Sequence, residues 1–374
     1  MKNQTSTCVR YHFILLNLRM DMDELYYQAI DLLKELIAIP SFSREEGAAA
    51  DVIECRLTRD NITVSRHGNN VWAVAPGYDP ALPTILLNSH IDTVKPVAGW
   101  TRDPFMPEED EHGRIFGLGS NDAGASLVSL IAAFIYMSEQ TRSYNLIMLA
   151  SAEEEVSGKN GIESVINLLP KIDVAIVGEP TGMNPAIAEK GLMVLDAEVK
   201  GVAGHAARDE GDNAIYRAVD TIRALKELQL PKVSEMLGPV KISVTQINAG
   251  TQHNVVPDSC KMVVDVRTTD AYTNAETLGL IRQAVPECIC TPRSTRLNPS
   301  GISPEHPIVR RLEILGYMPF GSPTLSDQAL MPWQSVKVGP GQSSRSHTAD
   351  EYVMTEEIRT AIAIYIRVLN GLTI

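Results

Sequence analysis

The chain of 374 residues is long enough for two domains, and its 44% hydrophobic and 21% charged content is that of an ordinary globular protein. With 46 acidic against 33 basic side chains the formal charge is −13, which excludes nucleic acid and an anionic membrane as main partners and leaves small polar molecules. The five cysteines (Cys8, Cys55, Cys260, Cys288, Cys290) are odd in number and lack the spacing of a disulfide scaffold, so a reducing, cytoplasmic setting is expected. Residues 1–20 read as an extension, with Met20 or Met22 as an alternative first residue. From Met22 to Ile37 apolar side chains recur at helical spacing, and Ser41 or Ser43 before Glu45-Glu46 has the form of a capped start to a second helix ending near Arg59. Short apolar runs at 71–74, 84–88, 146–150 and 174–177 read as buried strands, with a helix over 124–139 between two of them. The apolar stretch from Leu127 to Met137 is far shorter than the ~20 residues of a bilayer crossing, so no transmembrane helix is expected. This alternation predicts an α/β domain with a mixed, mostly parallel sheet flanked by helices. After Glu179 the pattern changes to a strand at 192–200, a helix at 213–228, strands at 240–246 and 261–267, a helix at 273–284 and a strand at 287–291. That β-α-β-β-α-β order predicts a small ferredoxin-like domain over 186–298, inserted into a larger domain made of 1–185 and 299–374. The larger domain closes with a strand at 336–339 and a helix at 355–370. Cys288 and Cys290 read as buried structural thiols, because no second thiol pair follows them.

Chemistry concentrates where the strands of the larger domain end. Ser89-His90-Ile91-Asp92 leaves an apolar strand, and the alternation of side chains sets His90 and Asp92 on one side of it. Ligands of open α/β sheets gather at that carboxyl edge. The glycine-rich turn Gly117-Leu118-Gly119-Ser120-Asn121-Asp122 delivers a carboxylate just before a helix, a position where Asp most often serves as an N-cap. The strand at 146–150 runs into Glu153-Glu154-Glu155, three acids that crowd like charge unless cations offset it. A third strand ends in Gly178-Glu179-Pro180, and the polar stretch 339–351 carries His347. Each of these alone reads as a surface turn. Together, two histidines and several carboxylates at strand ends are the nitrogen and oxygen donors that suit zinc in an open catalytic site. No G-x-S-x-G elbow is present, which disfavours a serine hydrolase.

In chain order, the segments Ser89-His90-Ile91-Asp92-Thr93-Val94, Gly117-Leu118-Gly119-Ser120-Asn121-Asp122, Ala152-Glu153-Glu154-Glu155, Val177-Gly178-Glu179-Pro180-Thr181, Gly204-His205-Ala206-Ala207 and Ser346-His347-Thr348-Ala349-Asp350-Glu351 resemble the motifs of one dinuclear zinc metallopeptidase family. That family includes acetylornithine deacetylase, succinyl-diaminopimelate desuccinylase, aminoacylase and glutamate carboxypeptidase; the likeness runs from about Met22 to the end, and the Gly117-Leu118-Gly119 form looks most like the acetylornithine deacetylases. The resemblance implies that His90 and Glu179 bind one metal, Glu155 and His347 the other, and Asp122 both, while Asp92 orients His90. It makes Glu154 the general base, with Glu153 as base and Glu154 as ligand the alternative register. It implies two Zn²⁺ ions, with Co²⁺ or Mn²⁺ as substitutes. The inserted domain resembles the family's dimerisation domain, whose His205 would stabilise an oxyanion in the partner's site of a homodimer, while Asn254 and Arg267 lie near the substrate and Arg267 holds a carboxylate in bidentate fashion. The implied activity is metal-dependent hydrolysis of the amide of a small N-acyl amino acid, of the N-acetyl- or N-succinyl-ornithine or citrulline type used in arginine synthesis. Succinyl-diaminopimelate desuccinylation, a dipeptidase or aminoacylase, and an inactive ligand-binding relative are the alternatives. Two departures bear on subtype: Ala123-Gly124-Ala125 stands where many relatives carry Met-Lys-Gly, and Ala207-Arg208 where a proline is common.

Overall fold

The computed structural model describes residues 22–59, 62–208 and 210–374, so the expected extension over 1–20 lies outside the described residues. In chain order the principal strands are β1 (Val64–His67), β2 (Asn70–Val74), β3 (Thr84–His90), β4 (Asn145–Ser151), β5 (Val174–Val177), β6 (Gly191–Lys200), β7 (Lys241–Ala249), β8 (Ser259–Thr268), β9 (Cys288–Pro292) and β10 (Gln334–Lys337). The helices are α1 over 22–37, then α2 (Gly47–Arg59), α3 (Ala125–Ser138), α4 (Ala214–Glu227), α5 (Asn274–Ala284), α6 (Pro307–Ile314) and α7 (Thr355–Leu369). Two compact units form. Among the described residues the larger comprises those from 22 to 187 with Ile302–Pro319 and Met331–Ile374, and the smaller comprises Ala188–Gly301 with Phe320–Leu330.

The larger unit is built on a mixed sheet in which β1, β2, β4, β3, β5 and β10 lie side by side. β1 and β2 run antiparallel to their neighbours, whereas β4, β3, β5 and β10 are mutually parallel. Every residue of β3 and β4 is buried, the condition of parallel strands covered on both faces, and this is why they read as unbroken apolar runs. Helix α3 packs against β3 and α7. Leu130 and Phe134 in it are fully buried, each contributing about 1.5–3 kcal/mol by leaving water. By length and composition the stretch Ser120–Ser138 could cross a membrane, but here it is a core helix with most of its surface covered. The parallel arrangement aligns the carboxyl ends of four strands along one edge, and those ends carry the chemistry.

Helix α2 begins at Gly47, later than the cap expected at Ser41 or Ser43. The backbone first turns through 42–46, with Arg44 at a φ of +79° and the Glu45 N–H donating to the Phe42 carbonyl at 2.7 Å, so the helical bonds begin only with the Glu46 carbonyl, which accepts the Ala50 N–H at 2.9 Å; the Ser43 hydroxyl donates instead to Asp92 Oδ2 at 2.7 Å. The smaller unit orders its antiparallel strands β7-β8-β6-β9, with α4 and α5 completing the β-α-β-β-α-β path. Alternate residues of β6 and β8 (Met193, Leu195, Ala197, Val199; Met262, Val264, Val266) enter a separate core, which also buries Cys260, Cys288 and Cys290. Its helices start on side-chain caps, Asn213 accepting from the Ile215 N–H and Thr273 forming a reciprocal box with Glu276. An α/β sheet flanked by helices with a separate small antiparallel sheet is therefore the architecture.

Candidate metal centre

His90 ends β3 with 2% of its surface exposed. Its Nδ1 lies 2.8 Å from the Asp92 carbonyl, which can only accept, so Nδ1 carries the proton and Nε2 turns its other valence toward the cluster. Nε2 stands 3.3 Å from Asp122 Oδ1, 3.7 Å from Glu179 Oε1 and 4.0 Å from Glu154 Oε2. Asp122 arrives on the turn that follows Gly119, whose φ of +74° suits glycine and whose added Cβ would lie 2.5 Å from Thr93 Cγ2. Glu154 and Glu155 follow β4, Glu179 follows β5, and His347 comes from the loop after β10. His347 Nε2 is 3.1 Å from Glu155 Oε2 and 3.7 Å from Asp122 Oδ2.

Two donor groups result, His90 with Asp122 and Glu179, and Asp122 with Glu155 and His347; each keeps its ligand atoms within 4.8 Å of one another and Asp122 belongs to both. Glu154 joins a third grouping with His90 and Glu155. The electrostatics say the same. Burial pushes the Glu179 carboxyl up to about 8, with Asp122 and Glu155 adding to the rise against the pull of His90 and Lys337. The Glu155 carboxylate lifts His347 to about 9 against a smaller cost of burial, and Asp122 and Glu351 add to it. For His90 burial opposes the charge, yet Asp122, Glu154, Glu179 and Asp92 together raise it well above the usual range. A site that raises both its histidines and one of its acids is starved of positive charge. Divalent cations held by these nitrogen and oxygen donors supply it, so the residues fit two metal ions.

Asp92 does more than face His90. Its Oδ1 is 3.6 Å from Nδ1, longer than the contact its carbonyl makes, while its carboxylate accepts the backbone N–H groups of Glu154 at 3.0 Å and Glu155 at 3.1 Å. Glu153 turns away from the cluster: its φ is +55°, its carboxylate accepts from the Asn160 amide at 2.9 Å, and its own N–H donates to buried Glu46 at 3.1 Å.

The profile of Peptidase family M20/M25/M40 matches residues 86–371. The chain belongs to this family. As an M20 protein it is a metal-dependent hydrolase. It is 29% identical over 278 residues to the succinyl-diaminopimelate desuccinylase of Sphingopyxis alaskensis, a match covering 69% of this chain and 72% of that one. Its fold is similar to that of aminopeptidase PepT from Bacillus cereus, with a TM-score of 0.73, 17% identity and coverage of 92% of this chain and 98% of that one. It is also similar to the Bacillus subtilis YXEP protein, a dinuclear metal-binding peptidase from the M20 family, at a TM-score of 0.70, 17% identity and 93% and 97% coverage.

Three further residues expected near substrate belong to the smaller unit. His205 is exposed on the two-residue strand Gly204–His205, paired to Val255–Val256, and its Nδ1 accepts the Ala207 N–H at 3.1 Å. Asn254 is exposed and its carbonyl accepts from the Ala206 N–H at 3.0 Å. The Arg267 guanidinium meets Asp265 through two bonds, Nε to Oδ1 at 3.0 Å and Nη2 to Oδ2 at 3.3 Å. Sequence reasoning passed over Glu351, which the fold places behind the M20 site. Only 2% exposed, it accepts the N–H groups of Gly119, Asn121 and Asp122 at 3.2, 2.9 and 2.9 Å. Burial and the nearby Asp122 charge push it up to about 8, against the pull of those three donors. Its signal was an acid four residues beyond His347 and directly before the alternating run Tyr352-Val353-Met354.

Proposed function

We propose that this M20 hydrolase removes the acyl group of an N-acylated amino acid at a centre of two zinc ions, His90, Asp122 and Glu179 holding one and Asp122, Glu155 and His347 the other. The observation that carries the reading is the pair of donor groups sharing Asp122, with the Glu154 carboxylate beside them. Cations so held supply Lewis acidity, bringing the acidity of water toward neutrality and offsetting charge on the carbonyl oxygen of the scissile amide. Glu154 takes the proton of the attacking water and delivers it to the leaving amine, its place fixed by the bond from its N–H to Asp92. His205 serves the oxyanion in the partner's site of a homodimer, and Asn254 and Arg267 are the candidates for holding the rest of the substrate, Arg267 by exchanging Asp265 for a substrate carboxylate.

The glycine turn with leucine at position 118, which resembles that of acetylornithine deacetylases, favours an N-acyl ornithine or citrulline in arginine synthesis as the substrate. A second reading, an N-succinyl-diaminopimelate substrate, is favoured by the name of the relative at 29% identity. Hydrolysis of N-acetylornithine, N-acetylcitrulline, N-succinylornithine and N-succinyl-diaminopimelate, measured side by side before chelation, after it, and after zinc is restored, separates the two. Activity on an N-acyl ornithine or citrulline, lost with chelator and regained with zinc, is the expected result. Turnover of the diaminopimelate compound alone would replace the first reading by the second, and activity indifferent to chelator would end both.

A homodimer through the smaller unit is part of this proposal. It is supported by apolar side chains left in solvent on α4 (Tyr216, Val219) and on the sheet's outer strand β7 (Ile247). Sedimentation at micromolar concentration should give a dimer, and His205→Ala should lower kcat; a monomer whose His205→Ala variant keeps full rate contradicts it.

A further inference from the structure

Among the ligand-bearing segments, the loop carrying His347 is the least self-supporting. β3, β4 and β5 deliver His90, Glu154, Glu155 and Glu179 within a few residues of fully buried strand. His347 instead follows one tight turn at Ser343–Arg345, has a φ of +59°, and keeps 52% of its side chain exposed. Its own packing does not hold it opposite Glu155.

Besides the backbone bonds of Gly339 and Gly341 to 181–183 and the grip of Asp350 on Thr101, much of the hold comes from the residue beside the bridging carboxylate. Asn121, with no exposed surface, spends its whole carboxamide on this loop: Nδ2 donates to the Gln342 carbonyl at 3.1 Å and to Ser346 Oγ at 3.2 Å, and Oδ1 accepts the Gln342 N–H at 2.9 Å. Donor and acceptor both face Gln342, so the orientation of the amide is determined by its partners. The Asn121 backbone is pinned in turn, because its N–H and that of Asp122 share Glu351 Oε1 at 2.9 Å each, and the Glu351 carbonyl accepts the Gly117 N–H at 3.0 Å. His347 is thus bracketed, by Gln342 and Ser346 on one side and Glu351 on the other, all tied to the two residues Asn121-Asp122. Gly341 closes the arrangement: its φ is +81°, and an added Cβ would lie 2.3 Å from Asn121 Oδ1.

We infer that Asn121 is a positioning residue that assembles the second cation position (Asp122, Glu155, His347), while the first (His90, Asp122, Glu179) stands without it. This rests on the two-metal reading above. Removal of the amide takes three bonds from the run 342–346; the loop stays attached through the backbone bonds of 339–341 to 181–183, the Asp350 carboxylate on Thr101 and the Arg345–Glu357 ion pair at 2.7 Å, so it loosens without detaching. The selectivity follows from how each segment is otherwise held: Gln342 also bridges Thr181, two residues past Glu179, but that stretch keeps its own backbone bonds, Thr181 N–H and Met183 N–H to the Gly339 carbonyl and Gly182 N–H to the Gly341 carbonyl, when the Asn121 amide is removed.

The test is calorimetric titration of chelator-stripped full-length protein with zinc, for wild type, Asn121→Ala and Gly341→Ala. Gly341→Ala displaces the same carboxamide from a different point in the chain and so stands in if Asn121→Ala does not fold. Wild type is expected to bind two ions. Both variants are expected to keep the first affinity and lose roughly 10–100-fold at the second, the scale on which groups supporting a ligand act. Activity should then return at raised zinc concentration, which a merely unstable protein would not show. Two ions bound with wild-type affinities by both variants overturns the inference, and so does equal loss at both positions. Fewer than two ions on the wild type removes the two-metal reading itself, a failure distinguishable from the other two.

Discussion

Glu154→Gln is expected to bind two zinc ions with affinities close to wild type and to lose roughly 10²–10⁴-fold in kcat, the contribution of a positioned general base. The substitution keeps the shape of the side chain and leaves the backbone bond to Asp92 in place, so the loop that also carries Glu155 stays where it is. What disappears is the capacity to accept a proton from water and return it to the departing amine. A loss confined to kcat, with KM steady, marks an interaction made only in the transition state. Retention of near-full rate would dismiss Glu154 as the base. The alternative register then has a direct control: Glu153 accepts from Asn160 and faces away from the cluster, so Glu153→Gln should leave kcat within a few fold.

Asp122→Asn is expected to fail differently, losing both metals together. Asp122 lies in both donor groups, its Oδ1 3.3 Å from His90 Nε2 and its Oδ2 3.7 Å from His347 Nε2. Asparagine is isosteric but has no charge to share between two cations, so the affinity lost at each should exceed the ~10–100-fold that an outer supporting group commands. Activity should fall by about three decades or more, because the several kcal/mol of charge stabilisation the cations supply goes with them, at about 1.4 kcal/mol per decade. Metal analysis of the dialysed variant, set beside that of Glu154→Gln, distinguishes the roles. Two ions retained by Asp122→Asn would show that the carboxylate does not bridge, and one ion retained would assign it to a single position.

The larger unit was legible because parallel strands buried on both faces read as uninterrupted apolar runs, as at Thr84–His90 and Asn145–Ser151. The same runs marked where each strand stops, and hence the edge at which His90, Glu154, Glu155 and Glu179 lie. The smaller unit was legible for the opposite reason: its sheet has one covered face, so alternate residues of β6 are buried and the period of two is plain. The cap expected at Ser43 failed because a turn through Arg44, with its φ of +79°, separates it from the helix start, a backbone choice that side-chain type alone does not mark.

Residue types and their order therefore pointed to the candidate donors, the α/β framework that presents them and the class of metal they suit. Their orientation was decided by tertiary structure. Three consecutive glutamates are equivalent on paper; a left-handed backbone at Glu153 and its bond to Asn160 turn one away, while Asp92 gathers the N–H groups of the other two. The roles of Glu351 and Asn121 were decided the same way. Both stand in the segments around His347 and Asp122, but their partners lie some 230 and 221 positions away along the chain, and a hydrogen bond of that separation leaves no spacing or cap that names the partner.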